Sequence, residues 1–227
     1  MRISVIIPAI NETASIKRAI QSCWSAGADE VIVADGGSTD DTAELAEQLS
    51  CQVVISRPGR GVQQNQGAAS ATGDILVFLH ADCTLGADSL LQIRQRSAES
   101  SPSFFGGFQQ VIPAGGWIYR WLERGNTARI RRLGLIYGDQ GIFMTRDLFE
   151  KTGGFPDIPL MEDVVLSRLL HRHGHALVLE GPLTISPRRW ERYGPIRQTL
   201  RNWWFLTLFF LGTSPETLAK RYRRHDL

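Results

Sequence analysis

Val31-Ile32-Val33-Ala34-Asp35-Gly36-Gly37-Ser38-Thr39-Asp40-Asp41-Thr42 carries the reading of this chain. A short β-branched run ends at an acid, two glycines and a cluster of hydroxyls and acids, and a helical spacing then begins. That order describes a strand, a tight turn and a helix start, with Asp35 at the strand's carboxyl end. In open α/β sheets ligands bind at the carboxyl ends of strands, which makes Asp35 a candidate binding residue. Two flanking segments have the same form: Val5-Ile6-Ile7-Pro8-Ala9-Ile10-Asn11-Glu12 before it and Val77-Phe78-Leu79-His80-Ala81-Asp82 after it.

Working outward, residues 3–7, 30–34, 52–56 and 75–79 read as strands, each short, β-branched and bounded by turn residues. Ile16, Ala19, Ile20 and Cys23 recur at helical spacing, with Asn11 or Thr13 placed to cap that helix. Ser38 followed by Asp41 resembles a capping box before a helix carrying Leu45, Ala46 and Leu49. Residues 62–71 form a third, small-residue helix able to pack closely on a sheet. Such alternation predicts an α/β fold: a mostly parallel sheet, right-handed crossovers and helices on both faces. Beyond residue 100 strands are expected at 104–112, 140–145 and 176–179, and helices at 117–132, 163–173 and 196–211. The expected organisation is one structural domain with three parts, 1–100, 101–190 and 191–227.

The net charge of +2 is too small to call for nucleic acid as a partner. Its distribution is uneven: Arg188, Arg189, Arg192, Arg197, Arg201, Lys220, Arg221, Arg223 and Arg224 crowd the last forty residues. Beside the apolar helix at 196–211 such a tail fits an anionic membrane surface or an ordinary solvated face. That helix is shorter than the roughly 20 residues that span a bilayer, leaving lipid interface, homodimer contact or core as its readings. Cys23, Cys51 and Cys83 are odd in number and scattered, without a C-x-x-C pair. They point to a reduced, cytoplasmic compartment, with the inner membrane face as an option, and away from structural zinc. The few apolar residues before Pro8 read as a buried strand, not a secretory signal.

The three segments together resemble the nucleotide-sugar-binding half of the family 2 glycosyltransferases, enzymes of the GT-A fold. That family has a first strand ending in Pro-x-x-Asn-Glu and a second ending in Asp-(Asp/Gly)-Gly-Ser-x-Asp. Its fourth strand ends in Asp-x-Asp or a remnant of it. Further along, Met161-Glu162-Asp163 resembles the family's Glu-Asp pair on the acceptor side. The resemblance extends over about residues 1–190 and implies a Rossmann-like GT-A domain with smaller acceptor-side elements and a C-terminal apolar helix. It also implies a metal-dependent, inverting transfer of a sugar from a nucleotide diphosphate, UDP in class, to a hydroxyl acceptor, with a lipid-linked acceptor as one option.

By the same resemblance Pro8, Asn11, Glu12, Asp35, Gly36, Arg60, Asn65, Ala81 and Arg189 are expected around the donor, with Asp35 contacting the base. The alternatives are a helix-capping role for Asp35 and a helix-dipole role for Glu12. Gly59-Arg60-Gly61 opens a helix, and a glycine-flanked helix amino terminus suits an anion. Asp82 is the expected ligand of Mn²⁺ or Mg²⁺, ions that bind through one or two carboxylates plus substrate phosphates. His80 stands in place of the first Asp of Asp-x-Asp, which puts the ribose contact in question more than the metal. Asp163 is the expected general base; its plainer reading is a first-turn acid. Gly138-Asp139-Gln140-Gly141 is expected to line the pocket, since glycine permits close backbone approach. Ser186-Pro187-Arg188-Arg189-Trp190 partly resembles the Gln-x-x-Arg-Trp motif of processive synthases, but Ser186 holds the Gln position. His171, His173 and His175 do not converge on one point and are not read as a zinc site.

Three other functions compete. A sugar nucleotidyltransferase or a nicotinamide dehydrogenase would need a glycine-rich loop after the first strand, and Pro8 to Glu12 offers none. A non-catalytic nucleotide-sugar or membrane-surface binding module would keep Asp35 and Asp82 but would not need Asp163.

Overall fold

A computed structural model describes residues 1–99 and 103–223, with Glu99, Arg189 and Arg223 described by backbone alone. Arg224 of the basic tail lies outside the described residues. The strands are β1 (Ile3–Ala9), β2 (Glu30–Asp35), β3 (Gln52–Ile55), β4 (Ile75–Phe78), β5 (Cys83–Leu85), β6 (Phe105–Val111), β7 (Ile142–Thr145) and β8 (Leu177–Ile185). They form a single sheet in the order β3-β2-β1-β4-β7-β6-β8-β5. The pairs β1–β2, β1–β4, β2–β3 and β6–β8 are parallel, whereas β4–β7, β6–β7 and β5–β8 are antiparallel. The sheet is therefore parallel through its first four strands and mixed beyond them.

Every residue of β1 is buried, as a central strand covered on both faces requires. Its period of two splits it between two cores. Ile3, Val5 and Ile7 join a cluster with Ile16, Ala19, Ile20 and Cys23 of helix α1 (Ile16–Ser25). Ile6 faces the other way and packs with Ala68 of α3 (Arg60–Ser70) and with Phe78. Gly67 makes that approach close: a Cβ there would stand 2.5 Å from the Ile6 side chain. Helices thus cover both faces, and the cores hold the strand ends at fixed positions.

The remaining helices are α2 (Thr42–Gln48), α4 (Ser89–Glu99), α5 (Trp117–Leu133), α6 (Arg146–Thr152), α7 (Glu162–His171), α8 (Arg188–Tyr193), α9 (Pro195–Phe210) and α10 (Pro215–Arg223). Of these, α4, α6, α8 and α10, together with β5, go beyond the sequence reading. β5 is three residues long, and α6 and α8 are one to two turns, too short for a period to show.

The capping expectations are corrected. No side chain caps α1 or α2. Asn11 Oδ1 accepts the Thr39 N–H at 2.8 Å, and the Thr13 hydroxyl donates to Asp40. Ser38 donates its hydroxyl to Asp35 instead of closing a capping box. These polar groups fasten the loop after β1 to the loop after β2, a tertiary use that outcompetes local capping.

The C-terminal helices carry a small core of their own. Phe205 of α9 packs with Leu160 and with Leu218 and Ala219 of α10. The opposite face of α9 is open, with Leu200 66% and Trp203 68% exposed. Among the described residues no helix is long and apolar enough to cross a membrane.

Candidate functional site

The carboxyl ends of β1, β2 and β4 lie side by side because the three strands are parallel neighbours. Beside them opens a cleft of about 610 Å³, a common size for a small-molecule site. Pro8, Glu12, Arg60, Ala81, Asp82 and Asp163 all line it. Asp163 is thus brought to one place with Glu12 and Asp82, which lie 151 and 81 positions before it in sequence.

Asp82 follows β4 and is 36% exposed along its side chain. Its Oδ2 lies 3.8 Å from Nη2 of Arg188, and the same nitrogen lies 4.0 Å from Oε2 of Glu12. Two carboxylates therefore face one cation. Cys83 adjoins Asp82 in the cleft wall; burial first, then the Asp82 charge, push its thiol well above the usual range. It stays a neutral S–H, so the charged donors at this point are oxygens, which suits a hard divalent cation. No group of three or more His, Cys, Asp or Glu side chains forms a metal cluster among the described residues. A cation held here would need oxygen ligands from a substrate as well.

Asp163 sits in the first turn of α7. Its Oδ2 accepts the Gly138 N–H at 2.8 Å and its Oδ1 accepts the Val164 N–H at 2.7 Å. A carboxylate offers about four acceptor sites, so two remain for a ligand. Gly138 opens the single 3₁₀ turn Gly138–Gln140, and a Cβ on it would meet Nε2 of His80 at 2.3 Å. The His80 ring is thus pressed against the backbone that orients Asp163.

Glu162, the neighbour of Asp163, is 2% exposed and pairs with Nε of Arg60 at 2.7 Å. This ion pair joins the amino termini of α7 and α3. Burial raises the Glu162 carboxyl above its usual range; Arg60 opposes that shift and the Asp163 charge adds to it. Its Oε2 is buried and receives no hydrogen bond.

The remaining expected residues sit apart from the cleft lining. Asp35 is 2% exposed; its Oδ1 accepts the N–H groups of Gly37 and Ser38, both at 2.8 Å, and its Oδ2 takes the Ser38 hydroxyl. Its carboxylate organises the turn that follows β2. Gly36 is required there, since a Cβ would stand 2.6 Å from Ile10 and 2.9 Å from Gln63. Asn11 holds this turn from the other loop. Asn65 does not reach the cleft: its amide exchanges two hydrogen bonds with the Phe155 backbone, at 2.8 and 2.9 Å. The Arg189 side chain lies outside the described residues.

Several lining residues escaped the sequence reading. Arg188 faces the two acids. Gln63 is buried and donates to the carbonyls of Ala9 and Ala34 at 2.9 and 2.8 Å, bridging the ends of β1 and β2. Tyr137 lines the cleft with Arg129 stacked 3.4 Å from its ring centroid. Only the helical spacing of Gln63 from Arg60 hinted at its direction.

The family model described as glycosyl transferase family 2 matches residues 4–154. Glucosyl-3-phosphoglycerate synthase of Mycobacterium tuberculosis is 39% identical over 92 residues, 35% of this chain and 28% of that protein. The probable glycosyltransferase YdaM of Bacillus subtilis is 24% identical over 229 residues, covering 89% of this chain and 53% of that protein. The chain thus matches about half or less of these relatives' length. Among solved structures, Staphylococcus aureus TarS residues 1–349 superposes with a TM-score of 0.67 at 18% identity, over 82% of this chain and 61% of that one. At that identity the likeness concerns the fold. The M. tuberculosis synthase in complex with Mn²⁺, UDP and glucosyl-3-phosphoglycerate superposes with a TM-score of 0.54 at 25% identity, over 82% of this chain and 70% of that one. With the match extending over most of the strands that build the cleft, the chain belongs to glycosyl transferase family 2.

Proposed function

We propose that this chain transfers a sugar from a nucleoside diphosphate donor, UDP in class, to a hydroxyl acceptor with inversion at the anomeric carbon. The observation that carries the reading is the meeting of Asp82, Glu12, Arg60 and Arg188 with Asp163 in one cleft at the strand ends. The M. tuberculosis synthase, whose structure holds Mn²⁺ and UDP, is a relative that supports the donor class.

In this reading residues 1–100 hold the donor, 101–190 supply the acceptor side and 191–227 are a C-terminal helical segment. Asp35 keeps the turn after β2 rigid; because it lies behind the cleft lining, a base giving its imide N–H to the acceptor site left on that carboxylate would have to reach past the lining residues to this turn. Asp82, with Glu12 beside it, would hold Mn²⁺ or Mg²⁺, which would neutralise charge developing on the diphosphate. Arg60 and Arg188 supply positive charge along the same path. Asp163 takes the proton of the acceptor hydroxyl as its oxygen bonds to the anomeric carbon and the diphosphate leaves with the other bond's electron pair. Gly138 N–H fixes the direction of that carboxylate.

The open face of α9, with arginines at its start and Lys220 beyond it, supports peripheral contact with an anionic membrane. Co-sedimentation with anionic vesicles at low salt, lost at high salt, is the expected behaviour. The catalytic reading itself is tested by UDP release from UDP-sugars with Mn²⁺ and with EDTA. Metal-dependent release supports it. Binding of UDP without turnover of any donor, even with acceptors present, would leave a non-catalytic binding module.

A further inference from the structure

The two acids that open α7 point to different places. Successive residues of an α-helix are rotated by about 100°, so neighbouring side chains in one turn diverge. Asp163 lines the cleft, whereas Glu162 does not. Glu162 is 2% exposed and turns toward the start of α3, where its Oε1 lies 2.7 Å from Nε of Arg60. A carboxylate taken this far out of water needs a counter-charge, and among the described residues Arg60 is its only ion-pair partner.

Arg60 is the reverse case. It lines the cleft, and its side chain is 40% exposed. Its contact with Glu162 is at Nε, and among the described residues the guanidinium makes no other ion pair or hydrogen bond. The far end of the planar group, with Nη1 and Nη2, is left for a ligand. Paired N–H groups in one plane match two oxygens of a single phosphate.

The backbone sets the two partners against each other. A Cβ on Gly61 would stand 2.5 Å from the Pro156 carbonyl oxygen and 3.6 Å from the Glu162 Cβ, so the start of α3 lies directly on the segment leading into α7. One turn further along α3, the two hydrogen bonds between Asn65 and the Phe155 backbone tie the same surfaces. Two unfavourable features accompany this arrangement. Met161, just before Glu162, has a left-handed backbone at φ 71°, and Oε2 of Glu162 is buried without a hydrogen bond. Strained backbone and unmet buried acceptors cluster where a side chain is held for a task. A carboxylate that only tied two helices together could have both oxygens met.

We propose that Glu162 is a positioning residue for the donor diphosphate: it holds Arg60 from the Nε side, so that Nη1 and Nη2 stand in the cleft to take two oxygens of one phosphate. The first acid of the Glu162-Asp163 pair then serves the donor and the second the acceptor hydroxyl, whereas the family resemblance places the pair together on the acceptor side. This inference rests on the transferase reading above.

The test is a double-mutant cycle on binding with Mg²⁺ present, using UDP by calorimetry and uridine by ligand-observed nuclear magnetic resonance. Glu162→Gln keeps the shape and removes the charge. Arg60→Lys removes the fork but keeps a cation beside the buried acid, so the fold is not left with an unpaired charge. Each single change should weaken UDP by about tenfold and leave uridine unchanged. The double variant should bind UDP no more weakly than Arg60→Lys alone, because Glu162 acts only through Arg60.

Unchanged UDP affinity in Glu162→Gln, equal losses for UDP and uridine, or additive losses in the double variant would overturn the proposal. Failure of the unmodified protein to bind UDP would remove the transferase reading and this assignment with it. A failure confined to the variants leaves that reading standing.

Discussion

The guanidinium of Arg188 stands 3.8 Å from the Asp82 carboxylate, and the same nitrogen is 4.0 Å from that of Glu12. The Arg188 side chain is 60% exposed, so this contact is a weak, movable one. It places one positive charge between Asp82 and Glu12 before any substrate arrives. A divalent cation approaching the two acids competes with that charge.

Arg188→Gln should therefore tighten binding of Mn²⁺ alone, by up to about fivefold given the small worth of exposed ion pairs. The same change should weaken UDP–Mn²⁺ binding, because the arginine no longer meets the diphosphate. Asp82→Asn should abolish the Mn²⁺ dependence of UDP binding. Electron paramagnetic resonance titration of Mn²⁺ with and without UDP separates the two effects. Weaker binding of free Mn²⁺ in Arg188→Gln would contradict the competition.

Asp163→Asn should leave UDP–Mn²⁺ affinity intact and lower transfer by about 10²–10⁴, the contribution of a general base. The amide oxygen can still accept from Gly138, so the turn is preserved while proton abstraction is lost. Single-turnover rates at saturating donor measure this. A collapse of donor affinity with an unchanged bound-state rate would assign Asp163 to the donor side.

Gly138→Ala should be destabilising, by about 1–3 kcal/mol for an overpacked site, because its Cβ meets His80 at 2.3 Å. Removing the ring should relieve the clash, so Gly138→Ala with His80→Ala should cost less than the sum of the single changes. Urea denaturation of the four proteins gives the coupling. Strict additivity would show that the His80 ring does not bear on this turn.

Asp40 supplies a pH prediction. Hydrogen bonds from the Thr13 hydroxyl, then from Thr42, hold its carboxyl down to about 2, against an ordinary 3.8. A folded value below the unfolded one means that ionised Asp40 stabilises the native state above about pH 4. That contribution is lost as pH falls from about 4 toward about 2. In Asp40→Asn the melting temperature should therefore decline less steeply across that window than in the parent. Parallel curves would mean that the loop pairing seen between Thr13 and Asp40 carries no weight in solution.

The strand-end architecture was legible because it is a matter of local chemistry. β1, β2 and β4 are short apolar runs that leave no other satisfactory burial, and parallel neighbours necessarily bring Glu12, Asp35 and Asp82 toward one edge. Asp163 was legible only through its family resemblance, since its 25-residue separation from Gly138 is closed by packing that no local pattern records. The short elements β5, α6 and α8 were not legible, because one or two turns or three residues leave no period to read.

The sequence by itself determined which residue types stand at the strand ends, and with them the fold class and the chemistry on offer. The tertiary structure alone decided how each side chain is spent. Asp35 and Asn65 are drawn into backbone hydrogen bonds, whereas Arg188 is left facing Asp82 and Gln198 is left with an unmet carbonyl. The physical reason is that a polar side chain's partner depends on which distant backbone group packing brings within about 3 Å, and that distance is absent from the linear order. For α9 the same holds: its apolar stripe announces a surface to be covered, and only the position of α10 settles that Phe205 is covered and Trp203 is not.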